Sequence, residues 1–358
     1  MGLAGVAGLA VAAALCLTGC SNLGYYWQSV TGHLDIMAAA RPVSELLEEP
    51  QTPERLRQRL QLAQRIRRYA VTELKLPDNP SYHRYADLHR SAAIWNVTAA
   101  PAYSLELRTW CFPVTGCVGY RGYYDEKRAR VDATDLAQQG YETNVYPVTA
   151  YSTLGLMNWA GGDPLLNTFI AYPEGELARL IFHELAHQVI YVKNDTTFNE
   201  SFATAVERLG GDRWLRTQAD EAARQAYAAY DGRRRLFREL SRQTRERLKT
   251  LYETPGTIPE VKEAGKEQLM AQFRAEYAQM KERAGGDPAA WRGYDRWVRE
   301  ANNAFFGAQA AYDELVPGFE ALFHAQGDDW TRFYDAARQL AALPKEERHQ
   351  RLKEAAGG

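Results

Sequence analysis

The stretch LIFHELAHQVIYVKNDTTFNE, residues 180–200, decides how this chain is interpreted. His183 and His187 are four residues apart, so on a helix their imidazoles lie one above the other on the same face. The neighbouring positions are mostly apolar, which predicts a buried helix. Burying two imidazoles and the carboxyl of Glu184 among such residues is costly unless they have partners. One metal ion bound by both histidines would remove that cost.

The pattern H-E-x-x-H on a helix is typical of a zinc site in which the glutamate acts as the base. Glu184 follows His183 directly, so its side chain points about 100° round the helix axis from the first histidine. That direction lies beside the metal, where a base for a water molecule is needed. Pro173 and the acidic residues after it predict the start of the helix. A packed polar helix without metal is the alternative interpretation.

A third ligand is required, because catalytic zinc takes three protein ligands and one water. The turn signal at 194–195 is followed by a second predicted helix, with Asn199 as its cap. Two helices joined by a short turn bring Glu200 back towards the histidines. Glu207 lies seven residues further along and on a similar face, so it is the alternative third ligand.

H-E-x-x-H followed by N-E-x-x-A resembles the gluzincin class of zinc peptidases, whose ligands are two histidines and a glutamate. The resemblance implies one zinc ion per chain and assigns Glu184 as the base. The ligands that it implies are His183, His187 and Glu200. The interval from the second histidine to the glutamate is shorter than in thermolysin-like enzymes, and Thr204 stands where those enzymes carry an aspartate. Glu207 therefore stays open as a ligand.

The wider sequence resembles a family of bacterial lipoproteins described as predicted aminopeptidases. The matching segments are GCVGYRGYYDE at 116–126, VTAYSTLG at 148–155, HELAHQ at 183–188 and FNESFATAVE at 198–207. The resemblance implies a zinc metallopeptidase that acts on peptide or protein substrates. The fold that it implies is α+β and predominantly α-helical, with a zincin-like core. In such a core a small sheet packs on the HExxH helix, and its edge strand binds the substrate by strand addition.

The first residues, MGLAGVAGLAVAAALCLTGC, predict a lipoprotein signal peptide over residues 1–19. The segment Leu17-Thr18-Gly19-Cys20 fits a bacterial lipobox, in which Cys20 is lipidated and becomes the mature N-terminus. Serine at position 21, rather than aspartate, favours the outer membrane. We therefore expect a lipid-anchored protein of the cell envelope that faces the periplasm.

Cys111 and Cys117 flank a short segment with a proline and a glycine, which predicts a tight loop. An exported protein meets an oxidising compartment, where disulfide bonds persist. We therefore expect these two cysteines to form a disulfide bond. Two independent thiols are the alternative.

The 358 residues carry a formal net charge of −2, which gives no support for a nucleic-acid partner. We divide the mature chain into residues 20–212, with N-terminal helices, a small α+β unit and the HExxH core, and residues 213–358, a charged helical region that braces the core. The apolar stripe in 267–284 predicts that this region forms a helical bundle or hairpin. Predicted helices cover 30–76, 125–140, 213–252, 258–284, 287–314 and 329–340. Predicted strands lie near 104–110, 117–121 and 143–149.

The predicted chemistry also needs a donor for the oxyanion that forms when water attacks a peptide carbonyl. Tyr151, just upstream of the helix, is the first candidate. Tyr191, four residues after His187, is the second if the helix continues that far. Asn199 and Thr204 are expected to orient the ligands from the layer behind them.

Three functions remain open at this level. The first is a zinc peptidase, for which amino-end specificity would need an acid near the cleft, such as Glu207. The second is a zinc amidase that acts on cell-wall peptides. The third is a non-catalytic lipoprotein in which zinc only holds helices together, although structural zinc sites usually have four protein ligands.

Overall fold

The computed structural model describes residues 24–112, 116–150, 152–309 and 314–357. Its architecture is α+β and predominantly helical, as expected. The helices are α1 (24–39), α2 (Val43–Glu48), α3 (Glu54–Thr72), α4 (Glu126–Gln138), α5 (Glu174–Ala186), α6 (Thr196–Thr217), α7 (Glu221–Glu253), α8 (Pro259–Ala284), α9 (Arg292–Glu300), α10 (Asn303–Gln309), α11 (Val316–Ala325), α12 (Trp330–Ala341) and α13 (Lys345–Gly357). The strands are β1 (Arg41–Pro42), β2 (Arg84–Ala86), β3 (Ile94–Pro101), β4 (Trp110–Phe112), β5 (Gly116–Val118), β6 (Arg121–Tyr123), β7 (Tyr141–Val148) and β8 (Leu165–Leu166).

The described strands form three small sheets. Sheet A has the order β1-β2-β8, sheet B the order β6-β3-β7, and sheet C is the pair β4-β5. In sheet B the central strand β3 is antiparallel to both neighbours, and its register with β7 runs from Ile94 opposite Val148 to Pro101 opposite Tyr141. Strand β7, which covers most of the strand predicted near 143–149, therefore lies at an edge of sheet B.

Sheet B is covered by a helix on each face. Alternate residues of β3, including Trp95 and Val97, are buried in a cluster with side chains of α4. On the opposite face, the hydroxyl of Thr98 lies 3.4 Å from the carbonyl oxygen of Ala304 in α10. Both faces of β3 are buried over most of its length, although Asn96 and Thr98 alternate with apolar residues as in a half-exposed strand. The predicted strands did not include it.

The predicted strand at 104–110 is wrong except at Trp110, which begins β4. Leu105 and Leu107 alternate with polar residues as strand residues do. However, they belong to an extended loop, from which Leu105 packs on the aromatic cluster of the C-terminal helices and Leu107 contacts Gly119 and Gly307. Alternation alone does not distinguish this loop from a strand.

Helix α5 begins after Pro173, as the sequence predicted, and packs against α3, α6 and α7. Its residues Ile181, Phe182 and Leu185 are fully buried. The cap of α6 is Asp195, not Asn199, because the Asp195 carboxylate accepts the N–H of Phe198. A cap must precede the first turn, and the chain enters the helix four residues earlier than the sequence suggested.

The C-terminal helices brace the core in two ways. Helices α7 and α8 form the expected helical hairpin, with Leu248 and Phe273 in its core. Helices α11 and α12 pack on α6, where Phe319 and Phe333 contact Phe202. Side chains from both sides of the boundary predicted at 212 and 213 therefore share one core, and the domain division stays a prediction.

The predicted disulfide bond is confirmed between Cys111 and Cys117, which lie opposite each other in the β4–β5 pair. The N–H of Cys117 donates to Oδ1 of Asn194 over 2.8 Å. This bond attaches the hairpin to the turn between α5 and α6. The disulfide hairpin thus supports the loop that joins the two central helices.

The signal peptide over residues 1–19 and the lipidation site Cys20 lie outside the described residues. None of the helices in the described ranges is long and apolar enough to cross a membrane.

Asp195 generates a prediction about stability, because it caps α6 and also pairs with Arg348 at 3.2 Å and His349 at 2.9 Å in α13. Replacing it with alanine removes the cap and leaves a buried guanidinium unpaired, so we expect a loss of about 3–5 kcal/mol in the free energy of unfolding. Asp220→Ala is the control, because Asp220 caps α7 at an exposed position and should cost about 1 kcal/mol. Urea denaturation measures both losses, and equal losses would contradict the role of the α13 contact.

Candidate functional site

The two histidines and Glu200 lie together where α5 ends and α6 begins. The Nε2 atoms of His183 and His187 are 3.1 Å apart. The carboxylate oxygens of Glu200 lie 3.4 Å from the first and 3.8 Å from the second. Among the described residues, these side chains form a group whose ligand atoms all lie within 4.8 Å of one another. The residues that the sequence selected thus converge on one point.

This donor set fits a zinc ion. In a tetrahedral site with zinc–nitrogen bonds of about 2.0–2.1 Å, two imidazole nitrogens lie about 3.3 Å apart. The observed nitrogen separation of 3.1 Å is close to that value. Two neutral imidazoles that face each other through Nε2 also need a cation or a proton between them. His183, His187 and Glu200 are therefore the residues that could hold the metal.

Burial and mutual charge shift the pKa values of these groups in opposite directions. Burial opposes the charge on His183, but the carboxylates of Glu200 and Glu207 raise its pKa well above the usual value. Burial lowers the pKa of His187 to about 4. Burial raises the pKa of Glu184 to about 7, against the opposing effect of His183. Strongly shifted pKa values in neighbouring groups are typical of functional sites.

Glu207 lies behind the site rather than in it. Its carboxylate is 3.0 Å from Nδ1 of His183, the ring nitrogen that faces away from His187 and Glu200. Its other oxygen accepts a hydrogen bond of 2.5 Å from Arg179. A carboxylate in this position fixes the ring orientation of a metal-binding histidine. The geometry thus favours Glu200 as the third ligand and Glu207 as a positioning residue.

Arg179 extends this layer to α7 and is a residue that sequence reasoning missed. It donates a hydrogen bond to the hydroxyl of Tyr227 and lies 3.4 Å from Asp231. Arg179 is buried, and it stands four residues before His183 on the same face of α5. A single arginine in an apolar helix, one turn before the first histidine, was a signal that could have identified it.

Asn199 and Thr204 are both buried on α6. The amide of Asn199 accepts the N–H of Val192 at 2.7 Å and donates to the carbonyl of Val192 at 2.8 Å. Asn199 therefore closes the loop between α5 and α6 and places Glu200, its neighbour, beside the histidines. No contact of the Thr204 hydroxyl with the ligands is seen among the described residues, so its predicted role stays a prediction.

The two candidate oxyanion donors have different outcomes. Tyr151 lies outside the described residues. Tyr191 does not lie on the ligand face of α5, because α5 ends at Ala186 and the chain turns away. It nevertheless lines the cavity that contains the two histidines, and burial together with the charge of Glu200 raises its pKa.

The site opens into a cavity of about 2050 Å³. Small-molecule sites usually enclose about 300–1,000 Å³, so this cavity has room for an extended chain. Sheet B supplies part of the wall, including Asn96, Asn144 and Tyr146. The amide of Asn96 donates to the hydroxyl of Tyr146 over 3.3 Å. The sheet thus faces α5 across the cavity, and a sheet packed directly on α5 stays a prediction.

Tyr120 and Tyr146 are further cavity residues that the sequence did not identify. Burial, with the nearby charge of Glu200, raises the pKa of both hydroxyls, which keeps them protonated and able to donate. Nothing in the sequence distinguished these two from the other tyrosines of a chain that contains 21.

Comparison with known proteins yields one family. A family model described as "Putative aminopeptidase" matches residues 24–352. The matched segment includes α5, α6 and the walls of the cavity. No curated protein and no solved structure matches the chain.

The positions of Glu200 and Glu207 predict different effects on metal affinity. Glu200→Ala removes a carboxylate that faces both histidines, so we expect stoichiometric zinc to be lost. Glu207→Ala removes only the carboxylate beside Nδ1 of His183, so we expect zinc affinity to fall about 10- to 100-fold. Glu314→Gln, a cavity carboxylate paired with Lys353, is the control and should bind zinc normally. Competition titration with a zinc chelator measures the affinities, and the reverse order would make Glu207 the third ligand.

Proposed function

Since the chain belongs to the aminopeptidase family whose model matches residues 24–352, we propose that it is a zinc-dependent peptidase. The observation that carries the proposal is the convergence of His183, His187 and Glu200 beside a large cavity. Glu184 lies next to this group and is not needed as a ligand. Metal-assisted hydrolysis of an amide requires ligands for the metal and a base. Two imidazoles and one carboxylate provide the ligands here, and one further carboxylate provides the base.

When bound, the zinc ion would supply Lewis-acid activation of a water molecule and of the substrate carbonyl. Glu184 accepts the proton of the attacking water and then donates it to the leaving amine. A general acid–base works best when its pKa lies near the working pH, and burial raises the pKa of Glu184 to about 7. A bound cation would lower that value, towards the carboxylate that the first step needs.

The layer behind the ligands keeps the donors aligned. Glu207 holds Nδ1 of His183, which leaves Nε2 directed at the ligand group. Arg179 holds Glu207 in turn. The same engagement removes Glu207 as the acid that would bind a substrate amine. Amino-end specificity therefore does not form part of the proposal, which is for peptide-bond hydrolysis.

The oxyanion donor belongs to the tyrosines of the cavity. Tyr191 and Tyr146 both line it with hydroxyls that stay protonated. Tyr151 keeps its place as a candidate from the sequence. At the true donor, replacing tyrosine with phenylalanine should lower turnover and leave zinc affinity unchanged.

Strand β7 offers a way to hold the substrate. Among the described strands it pairs only with β3, and Asn144, Tyr146 and Val148 line the cavity. An extended peptide that adds to this edge forms main-chain hydrogen bonds, which do not depend on the identity of its side chains. Peptide or protein substrates suit this arrangement better than compact small molecules.

We also propose that the protein is held at the bacterial outer membrane by a lipid on Cys20. The described chain begins at residue 24, and four residues span at most about 14 Å, so the first helix would lie near the lipid surface. Cys20→Ser should abolish incorporation of a labelled fatty acid, which metabolic labelling followed by immunoprecipitation detects. A Cys20→Ser protein that still incorporates the label would show that the lipid is attached elsewhere.

Glu184 generates the central test of the activity. Glu184→Gln keeps the shape of the side chain and removes the base, so we expect turnover to fall about 10²- to 10⁴-fold with zinc content unchanged. A quenched fluorescent peptide library measures turnover, and elemental analysis measures zinc. Glu314→Gln is the matched control and should retain activity. Full activity of the Glu184→Gln protein would reject this account of the base.

A further inference from the structure

One wall of the cavity carries a row of positive charges that the proposed chemistry does not use. Arg235, Arg238, Arg242, Arg245 and Lys249 all line the cavity, and they follow one another along α7 at intervals of three and four residues. This spacing places them on a single helix face. We call these five residues the α7 cationic face.

The charges of this wall are unbalanced. The α7 residues that line the cavity include six basic and three acidic side chains, a formal excess of three positive charges. All three acids pair within the helix: Asp231 with Arg234 and Arg235, Glu239 with Arg242, and Glu246 with Arg245. Pairs between near neighbours at partly or fully exposed positions, such as Glu239 with Arg242, are weak. An incoming carboxylate can therefore compete for the arginines at little cost.

The α7 cationic face begins beside the candidate metal site. Arg234, the residue before it, contacts Asp231, which also contacts Arg179. Arg179 in turn holds Glu207 behind His183. From this end the face extends about 21 Å, since a helix rises 1.5 Å per residue. An extended peptide of about six residues has the same length.

We propose that the α7 cationic face binds the carboxylates of an acidic peptide substrate, on one side of the bond to be cut. This inference rests on the proposed peptidase function and names its substrate class. Asp or Glu side chains placed two residues apart would point to the same side of an extended peptide. They would meet successive arginines of the face, with charge-assisted hydrogen bonds to each.

The position of the face favours a peptide over a lipid surface. The same cavity is lined by Trp297, which is 39% exposed, and by Phe305. A flexible chain can enter a groove between such walls, whereas a flat bilayer meets only its rim. The aromatic side chains would contact the apolar residues between the acids.

The test compares three labelled octapeptides that differ only at alternate positions on one side of a common core, with Glu, Gln or Lys there. Binding to the full-length Glu184→Gln protein is measured by fluorescence anisotropy, which does not require hydrolysis. We expect the Glu peptide to bind at least about tenfold more tightly than the Gln peptide, since hydrogen bonds between charged groups are the strong ones. The difference should shrink as salt is added.

Two double variants probe separate parts of the face: Arg238→Gln with Arg242→Gln, and Arg245→Gln with Lys249→Gln. Each should reduce the preference for the Glu peptide to less than threefold. Arg247→Gln is the matched control, because Arg247 lies on the same helix but pairs with Glu276 of α8 outside the cavity. It should keep the full preference. Thermal unfolding verifies that the variants are folded.

The outcomes separate this inference from the proposed function. Hydrolysis of all three peptides with equal kcat/KM, and equal binding, would overturn the acidic-substrate inference and leave the peptidase intact. If the wild-type protein hydrolyses none of the peptides, that result would count against the peptidase. Charge-selective binding would still support the acidic ligand. Binding to phosphatidylglycerol vesicles that both double variants abolish, without selectivity among peptides, would reassign the face to lipid and overturn the inference.

Discussion

Compensation of buried charge between α5 and α6 is the constraint on which the rest of the structure depends. Both ring nitrogens of His183 face carboxylates, Glu200 on one side and Glu207 on the other. Arg179 then balances Glu207 from the same helix as the histidine. Because a buried charge without a partner costs several kcal/mol, the relative placement of the two helices must satisfy all of these groups together. The apolar core around them fixes that placement.

Around this centre the elements have separate roles. The loop between α5 and α6 is closed by Asn199 and braced by the disulfide hairpin through Asn194. Sheet B and α7 form two walls of the cavity, one with the edge strand β7 and the other with a row of cations. The rigid helices hold the charges, and the walls provide the surface that a substrate would meet. In the proposed function, chemistry and recognition therefore reside on different elements.

The accuracy of the sequence-based predictions depends on how local their signals are. Helices α4, α8 and α12 are confirmed because their caps, breaks and apolar periodicity all lie within the helix itself. Strand β3 was missed although Asn96 and Thr98 alternate with apolar residues, and its burial by two distant helices is not visible in the local sequence. The loop with Leu105 was mistaken for a strand because its leucines alternate while packing on separate neighbours. Asn199 was taken as a cap, although the chain had already entered α6 at Asp195.

The sequence by itself determined the set of candidate ligands, the candidate base and the disulfide pair, because four-residue helical spacing and short loops are local geometry. It left Glu200 and Glu207 as alternatives, since both lie on similar faces of one helix. Only the tertiary structure separated them, because it showed which nitrogen of His183 each carboxylate reaches. The cavity and its tyrosines likewise arise only in the fold, because they consist of residues far apart in the chain. The spacing of the α7 cationic face is local, but only the fold shows that this face lines the cavity.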